Sequence, residues 1–162
     1  MSLRVQFIHG LESNPQGTKA RTLAEHFDVR TPAMDTRDFD GCVELQARVL
    51  AEHRPRVLVG SSFGGAVAVE LLRRGDYRGP TLLLAPAARR YDREAVLPEG
   101  ARVMIVHGHG DDVIDIADSR ALAATGSAES VDLIELDDDH RLTRFVDSGG
   151  LITAVRKLAT GA

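Results

Sequence analysis

The chain has 162 residues, 43% hydrophobic and 27% charged, with a formal net charge of −4. That balance predicts one soluble globular domain over 1–162, with enough chain to bury a core. Mixed charge without a basic block argues against a nucleic-acid partner, and no apolar run is long enough to span a membrane. No leader-like segment precedes the first strand and the lone Cys42 cannot close an internal disulfide, so the expected location is the cytoplasm.

In chain order, Leu3 to Ile8 reads as a strand by its β-branched and aromatic content, followed by a loop from His9 to Pro15 marked by glycine, asparagine and proline. Thr18 is placed to cap a helix whose apolar face is Ala20, Leu23, Ala24 and Phe27. A short strand at Asp28–Thr31 ends before Pro32. Asp40 is then the expected cap of a helix burying Val43, Ala47, Leu50 and Ala51, stopped by Pro55.

Next comes the most informative stretch, Arg56 to Leu72. An apolar run stops at Gly60-Ser61-Ser62-Phe63-Gly64 and continues as an apolar helix, the order strand, sharp turn, helix. Only Ser62 fits a G-x-S-x-G frame, because Ser61 would require glycine where Val59 stands. In such an elbow the serine sits on a strained turn that lifts its hydroxyl clear of the sheet, and the glycines leave room for the backbone crossing.

Thr81–Ala85 is another fully apolar strand, followed by Pro86 and a polar segment with Arg89, Arg90, Asp92 and Arg93, read as a solvated face. A fifth strand, Arg102–Val106, runs into His107-Gly108-His109-Gly110-Asp111-Asp112. Ala117, Ala121 and Ala124 suggest a helix face. The last strand, Val131–Leu136, alternates more than the others and is expected at an edge; Asp137-Asp138-Asp139, read as a solvated acidic loop, leads to His140. A helix burying Leu151, Ile152, Val155, Leu158 and Ala159 closes the chain.

Six strands separated by helical segments, the central ones apolar on both faces, predict an α/β fold with a parallel sheet covered on both sides. Loops at the carboxyl ends of such strands converge on one crevice. Ser62, Asp111 and His140 all fall there, a nucleophile, an acid and a base on one rim.

On these residues the sequence resembles the α/β-hydrolases, in particular small bacterial esterase-like members without a lid domain. The His9-Gly10 loop, the Gly60-x-Ser62-x-Gly64 elbow, His107-Gly108-x-x-Asp111-x-x-Ile114 and the late His140 carry the resemblance, and the order serine, acid, histidine is the family's. Asp115 stands where that third element normally continues with proline. The resemblance implies a reduced six-stranded, mainly parallel sheet of order 2-1-3-4-5-6. It also implies a serine hydrolase without cofactor, acting on small-molecule esters or thioesters.

By residue chemistry, His140 is the expected base for the Ser62 proton and Asp111 its orienting partner, with Asp112 the nearest competitor and one of Asp137–Asp139 a remoter one. The backbone amides of Leu11 and Phe63 are the expected oxyanion donors, and Leu11, Phe63 and Pro86 the expected substrate-side residues. His9 and His107 are read as structural loop residues. Two other readings stand beside this one. His107-x-His109-x-Asp111-Asp112 resembles the H-x-H-x-D-H motif of metallo-β-lactamases, with Asp112 in place of the last histidine. The fold can also serve as a partner-binding module in which the three residues no longer react.

Overall fold

The computed structural model describes residues 2–11 and 14–161, so Glu12 and Ser13 of the predicted first loop lie outside the described residues. The elements follow as β1 (Arg4–Ile8), α1 (Thr18–Ala24), β2 (Asp28–Arg30), α2 (Phe39–His53), β3 (Val57–Ser61), α3 (Phe63–Arg74) and β4 (Thr81–Leu84). They continue with α4 (Ala88–Tyr91), β5 (Val103–Gly108), α5 (Ile116–Ala124), β6 (Val131–Leu136), α6 (Thr143–Asp147) and α7 (Gly150–Thr160). Among the described residues the sheet has six strands in the order β2-β1-β3-β4-β5-β6, and every pairing is parallel. β6 does lie at an edge, opposite β2.

Strand side chains alternate between faces, and that alternation divides the core in two. Phe7, Val59, Leu82, Leu84 and Met104 pack with α1 and α7, whereas Ile8, Leu58, Leu83 and Ile105 pack with α2, α3 and α5. Burial of each such side chain is worth about 1.5–3 kcal/mol, so strands covered on both faces anchor the sheet. Their carboxyl ends are thereby fixed platforms for the loops that follow.

Several helix expectations need correction. Asp38, not Asp40, caps α2, because its carboxylate accepts the Gly41 amide at 3.0 Å while Asp40 already lies in the first turn. The buried face of α2 is Cys42, Val43, Gln46, Leu50 and His53, and Ala51 is exposed. Gln46 is tolerated there because its side-chain oxygen accepts from the Gln6 amide of β1 at 2.7 Å. Thr18 is the first residue of α1 and gives no cap bond; Gly17 occupies the cap position and Ala24 is exposed.

In α5 the alanine face points to solvent, and Ser119 and Leu122 are buried instead. Alanine gives too little apolar area to fix which side of a helix turns inward. The short helices α4 and α6 escaped the sequence reading, since neither is long enough to show a period. β5 continues two residues further than expected and takes in His107 and Gly108.

Candidate active site

Ser62 follows the last residue of β3 and precedes α3, with φ 54° and ψ −113°. A non-glycine residue in that region carries strain of order 1–3 kcal/mol and persists only where its surroundings hold it. Here they do: the Ser62 amide donates to the Leu84 carbonyl, and the Ser62 carbonyl accepts from the Gly65 and Ala87 amides, each at 2.9 Å. The flanking glycines are required by contact. A Cβ on Gly60 would strike the Gly64 carbonyl, and one on Gly64 would overlap the Ile8 carbonyl of the adjacent strand.

His140 lies on the turn between β6 and α6, and that turn is built by two carboxylates. Asp138, 7% exposed, accepts from the Asp139, Arg144 and Phe145 amides at 2.8, 3.2 and 2.8 Å. Asp139 accepts from the amide and hydroxyl of Thr143, which hold its carboxyl below the usual carboxylate range. Asp137 and Asp139 are exposed, as the solvated-loop expectation has it, with Asp137 paired with Arg144 at 2.9 Å; Asp138 departs from it, buried and bonded to backbone amides that lead into α6.

Asp111 projects from the loop between β5 and α5 and its side chain is 1% exposed. One carboxylate oxygen, Oδ1, accepts the Val113 and Ile114 amides at 2.8 Å each. The other, Oδ2, is 2.7 Å from Nδ1 of His140, whose Nε2 in turn lies 3.2 Å from Oγ of Ser62. A serine hydroxyl, an imidazole and a buried carboxylate therefore form one hydrogen-bonded chain across the strand ends. Asp112, the competing acid, is exposed.

Beside His140 opens a cavity of about 510 Å³ whose wall includes Gly10, Asn14, Lys19, Ser61, Arg141 and Thr143. Burial lowers the pKa of the Lys19 ammonium from its ordinary value, with Arg141 acting in the same sense and Asp139 against it. On the other side of the serine, Phe63, Phe39 and Tyr91 pack ring to ring at 5.4–5.8 Å between centroids.

The model of the alpha/beta hydrolase family matches residues 9–159. The chain belongs to the alpha/beta hydrolase family. A structure from Xanthomonas campestris pv. campestris, described as a candidate hydrolase of the alpha/beta superfamily, superposes with a TM-score of 0.82 at 26% identity over 100% of both chains. A second protein from Xanthomonas campestris, a serine hydrolase of this fold without a lid, gives 0.71 at 18% identity over 96% of this chain and 82% of its own. The mouse alpha/beta hydrolase domain-containing protein 10 gives 0.77 at 18% identity, covering 98% and 90%. No curated protein matches the chain.

In this family member Phe63 opens α3, so its amide is among the first-turn donors that have no partner within the helix. Leu11 is exposed, and the preceding Gly10 packs against the elbow, its Cα hydrogen side facing the Ser61 carbonyl and Ser62 Cβ. Pro86 is buried against Gly65 at the start of α3. The polar segment after β4 is largely exposed as expected, with Arg89 half-buried, and Arg89 and Arg90 each donate to a backbone carbonyl, of Ala95 and Val113, at 2.9 and 2.8 Å.

The histidines of the metal-like motif diverge. His107 points into the protein toward Ser119 and Asp111, while His109 is 55% exposed and bonded to Glu135 at 2.9 Å. Among the described residues no three His, Cys, Asp or Glu side chains converge to hold a metal ion, and no helix is long and apolar enough to cross a membrane. Sequence reasoning missed the contact of His107 and Ser119 with the site. A serine at a buried position of an otherwise alanine-rich helix was the available signal.

Proposed function

We propose that this alpha/beta hydrolase cleaves small or short-acyl carboxylic esters or thioesters through an acyl-enzyme on Ser62. The observation that carries this reading is the chain from Ser62 Oγ through His140 to Asp111, at 3.2 and 2.7 Å. A carboxylate has no hydrogen to give, so His140 Nδ1 donates to Asp111 and Nε2 is left as the acceptor facing the serine hydroxyl. That is the tautomer a general base needs.

His140 takes the Ser62 proton as Oγ adds to the substrate carbonyl, and gives it to the leaving alcohol or thiol as the carbon–heteroatom bond breaks. Water then repeats the sequence on the acyl-serine, and the carboxylic acid leaves. Asp111 stabilises the imidazolium in both halves without itself accepting the proton. The amides of Phe63 and Leu11 are the proposed donors to the oxyanion, each worth roughly 3–4 kcal/mol of transition-state stabilisation, and the N-terminal end of α3 adds its positive dipole.

The cavity beside His140, open to solvent and about 510 Å³, suits a short acyl chain or a compact leaving group. A series of p-nitrophenyl esters and acyl thioesters of graded chain length tests the substrate class. Turnover is expected to fall as the acyl chain lengthens beyond the cavity; activity confined to long chains, or absent from the whole series, contradicts it.

A further inference from the structure

The Asp111 carboxylate lies between two histidines. Beyond its bond to His140, Oδ2 lies 3.0 Å from Nε2 of His107, at the end of β5, and the His107 side chain is wholly buried. The same Nε2 is 2.9 Å from the Ile114 carbonyl, and Nδ1 is 2.6 Å from Oγ of Ser119 on α5. Both oxygens facing Nε2 are acceptors only, so Nε2 carries the hydrogen and Nδ1 is left to accept from the Ser119 hydroxyl. The Ile114 carbonyl therefore fixes the tautomer of His107, as Asp111 fixes that of His140, and the Ser119 hydroxyl donates to Nδ1 from behind.

We propose that His107 is a positioning residue, which with Ser119 behind it holds Asp111 Oδ2 on the His140 axis and shares that oxygen's negative charge. This rests on the serine-hydrolase reading above. Its geometry is independent of it, since three donors (the Val113 and Ile114 amides and the His140 imidazole) and the neighbouring His107 ring surround a carboxylate that solvent barely reaches. With His107 in place, Oδ2 accepts from His140 and lies 3.0 Å from the Nε2–H edge of a second imidazole, whose own hydrogen bond goes to the Ile114 carbonyl. Without it, Oδ2 serves His140 alone, rotates more freely about its two backbone bonds, and attracts the imidazolium more strongly. The other charged groups around His140 are Lys19 from α1, Arg141 and Asp147 on the cleft wall, and Asp138 and Asp139 on its own turn; the His107 side chain bonds instead to Ser119 and the Ile114 carbonyl.

The test is steady-state hydrolysis across pH by wild type, His107→Leu, His107→Gln and Ser119→Ala. His107→Leu is expected to lower kcat about 10- to 100-fold, the scale of a small misplacement of catalytic groups, with KM nearly unchanged. It should also raise the pKa of the acidic limb of kcat/KM, while His107→Gln, whose amide can still donate to Oδ2, should recover most of the rate and return the limb toward wild type. Should His107→Leu fail to fold, Ser119→Ala carries the test, because loss of the hydroxyl that holds the His107 ring from behind should produce the same displacement of the limb in smaller measure. Variants that lose rate with the limb unmoved, or a glutamine no better than leucine, overturn the inference. Wild-type reaction of Ser62 with a fluorophosphonate separates the two claims: if Ser62 is labelled and the variants behave as wild type, only His107's role falls, and if wild type is inert both fall.

Discussion

Gly64 lies against the Ile8 carbonyl so closely that a methyl group on its Cα would overlap the oxygen. The elbow of Ser62 and the end of the neighbouring strand β1 are thus built around the absence of one side chain. Since the obstructing atom is backbone and not the tip of a flexible chain, it cannot swing aside. Gly64→Ala is expected to cost about 1–3 kcal/mol of stability, the range for overpacking, and to reduce hydrolysis through displacement of Ser62. Urea denaturation reads the first and ester turnover the second.

The acid of the site is open to a direct comparison of neighbours. Asp111 accepts His140 Nδ1 and two backbone amides, whereas Asp112 is exposed. Asp111→Asn should permit the wrong His140 tautomer and lower kcat by about 10⁴-fold, as the corresponding change does in serine proteases. Asp112→Asn should leave kcat within about twofold, surface substitutions being close to neutral. Equal losses in the two would mean that the carboxylate is not acting through His140.

Asp138 ties His140 to the start of α6 through three backbone amides. Asp138→Ala removes those acceptors and is expected to destabilise the fold by about 1–2 kcal/mol, the upper range for a lost helix cap. The turnover number should drop more than the stability loss alone would bring, because the imidazole sits on the turn that Asp138 shapes. Thermal unfolding and kcat, measured on the same sample, check both halves.

On the β6 edge, hydrogen bonds from Arg120 and then His109 hold the Glu135 carboxyl at about 2, against an ordinary value of 4.5. A carboxyl depressed in the folded state stabilises above its unfolded pKa, and the contribution is lost as pH falls from about 4.5 toward 2. NMR titration should place Glu135 well below its peers, and Arg120→Met should raise it and flatten the acid dependence of stability in that window. A normal titration in the native protein would mean that these exposed pairs do not persist in solution.

The parts of this molecule legible in its sequence are those where residue type and position carry the same message. Ser62 between glycines, after four buried strand residues and before an apolar helix, fits an elbow and little else, and Asp111 and His140 follow a continuous apolar strand and an alternating one. The strand order also followed from the family resemblance. What escaped were positions where a buried polar side chain bonds to a partner far away in the chain. Gln6 and Gln46 are buried because they bond each other across 40 residues, and Ser119 because it meets His107. Asp138 looked like solvated charge because a carboxylate's choice between water and backbone amides depends on a turn that periodicity does not reveal. Between Asp111 and Asp112, and between Asp38 and Asp40, composition offers no distinction; only side-chain direction does.

The most direct test of the central claim is intact and peptide mass analysis of the folded protein after reaction with a fluorophosphonate at neutral pH. The account predicts one phosphonyl adduct per chain, located on Ser62, absent from Ser62→Ala and much slower to form in a folded His140→Ala variant. Folded wild-type protein that acquires no adduct, or acquires it at a residue other than Ser62, would contradict it.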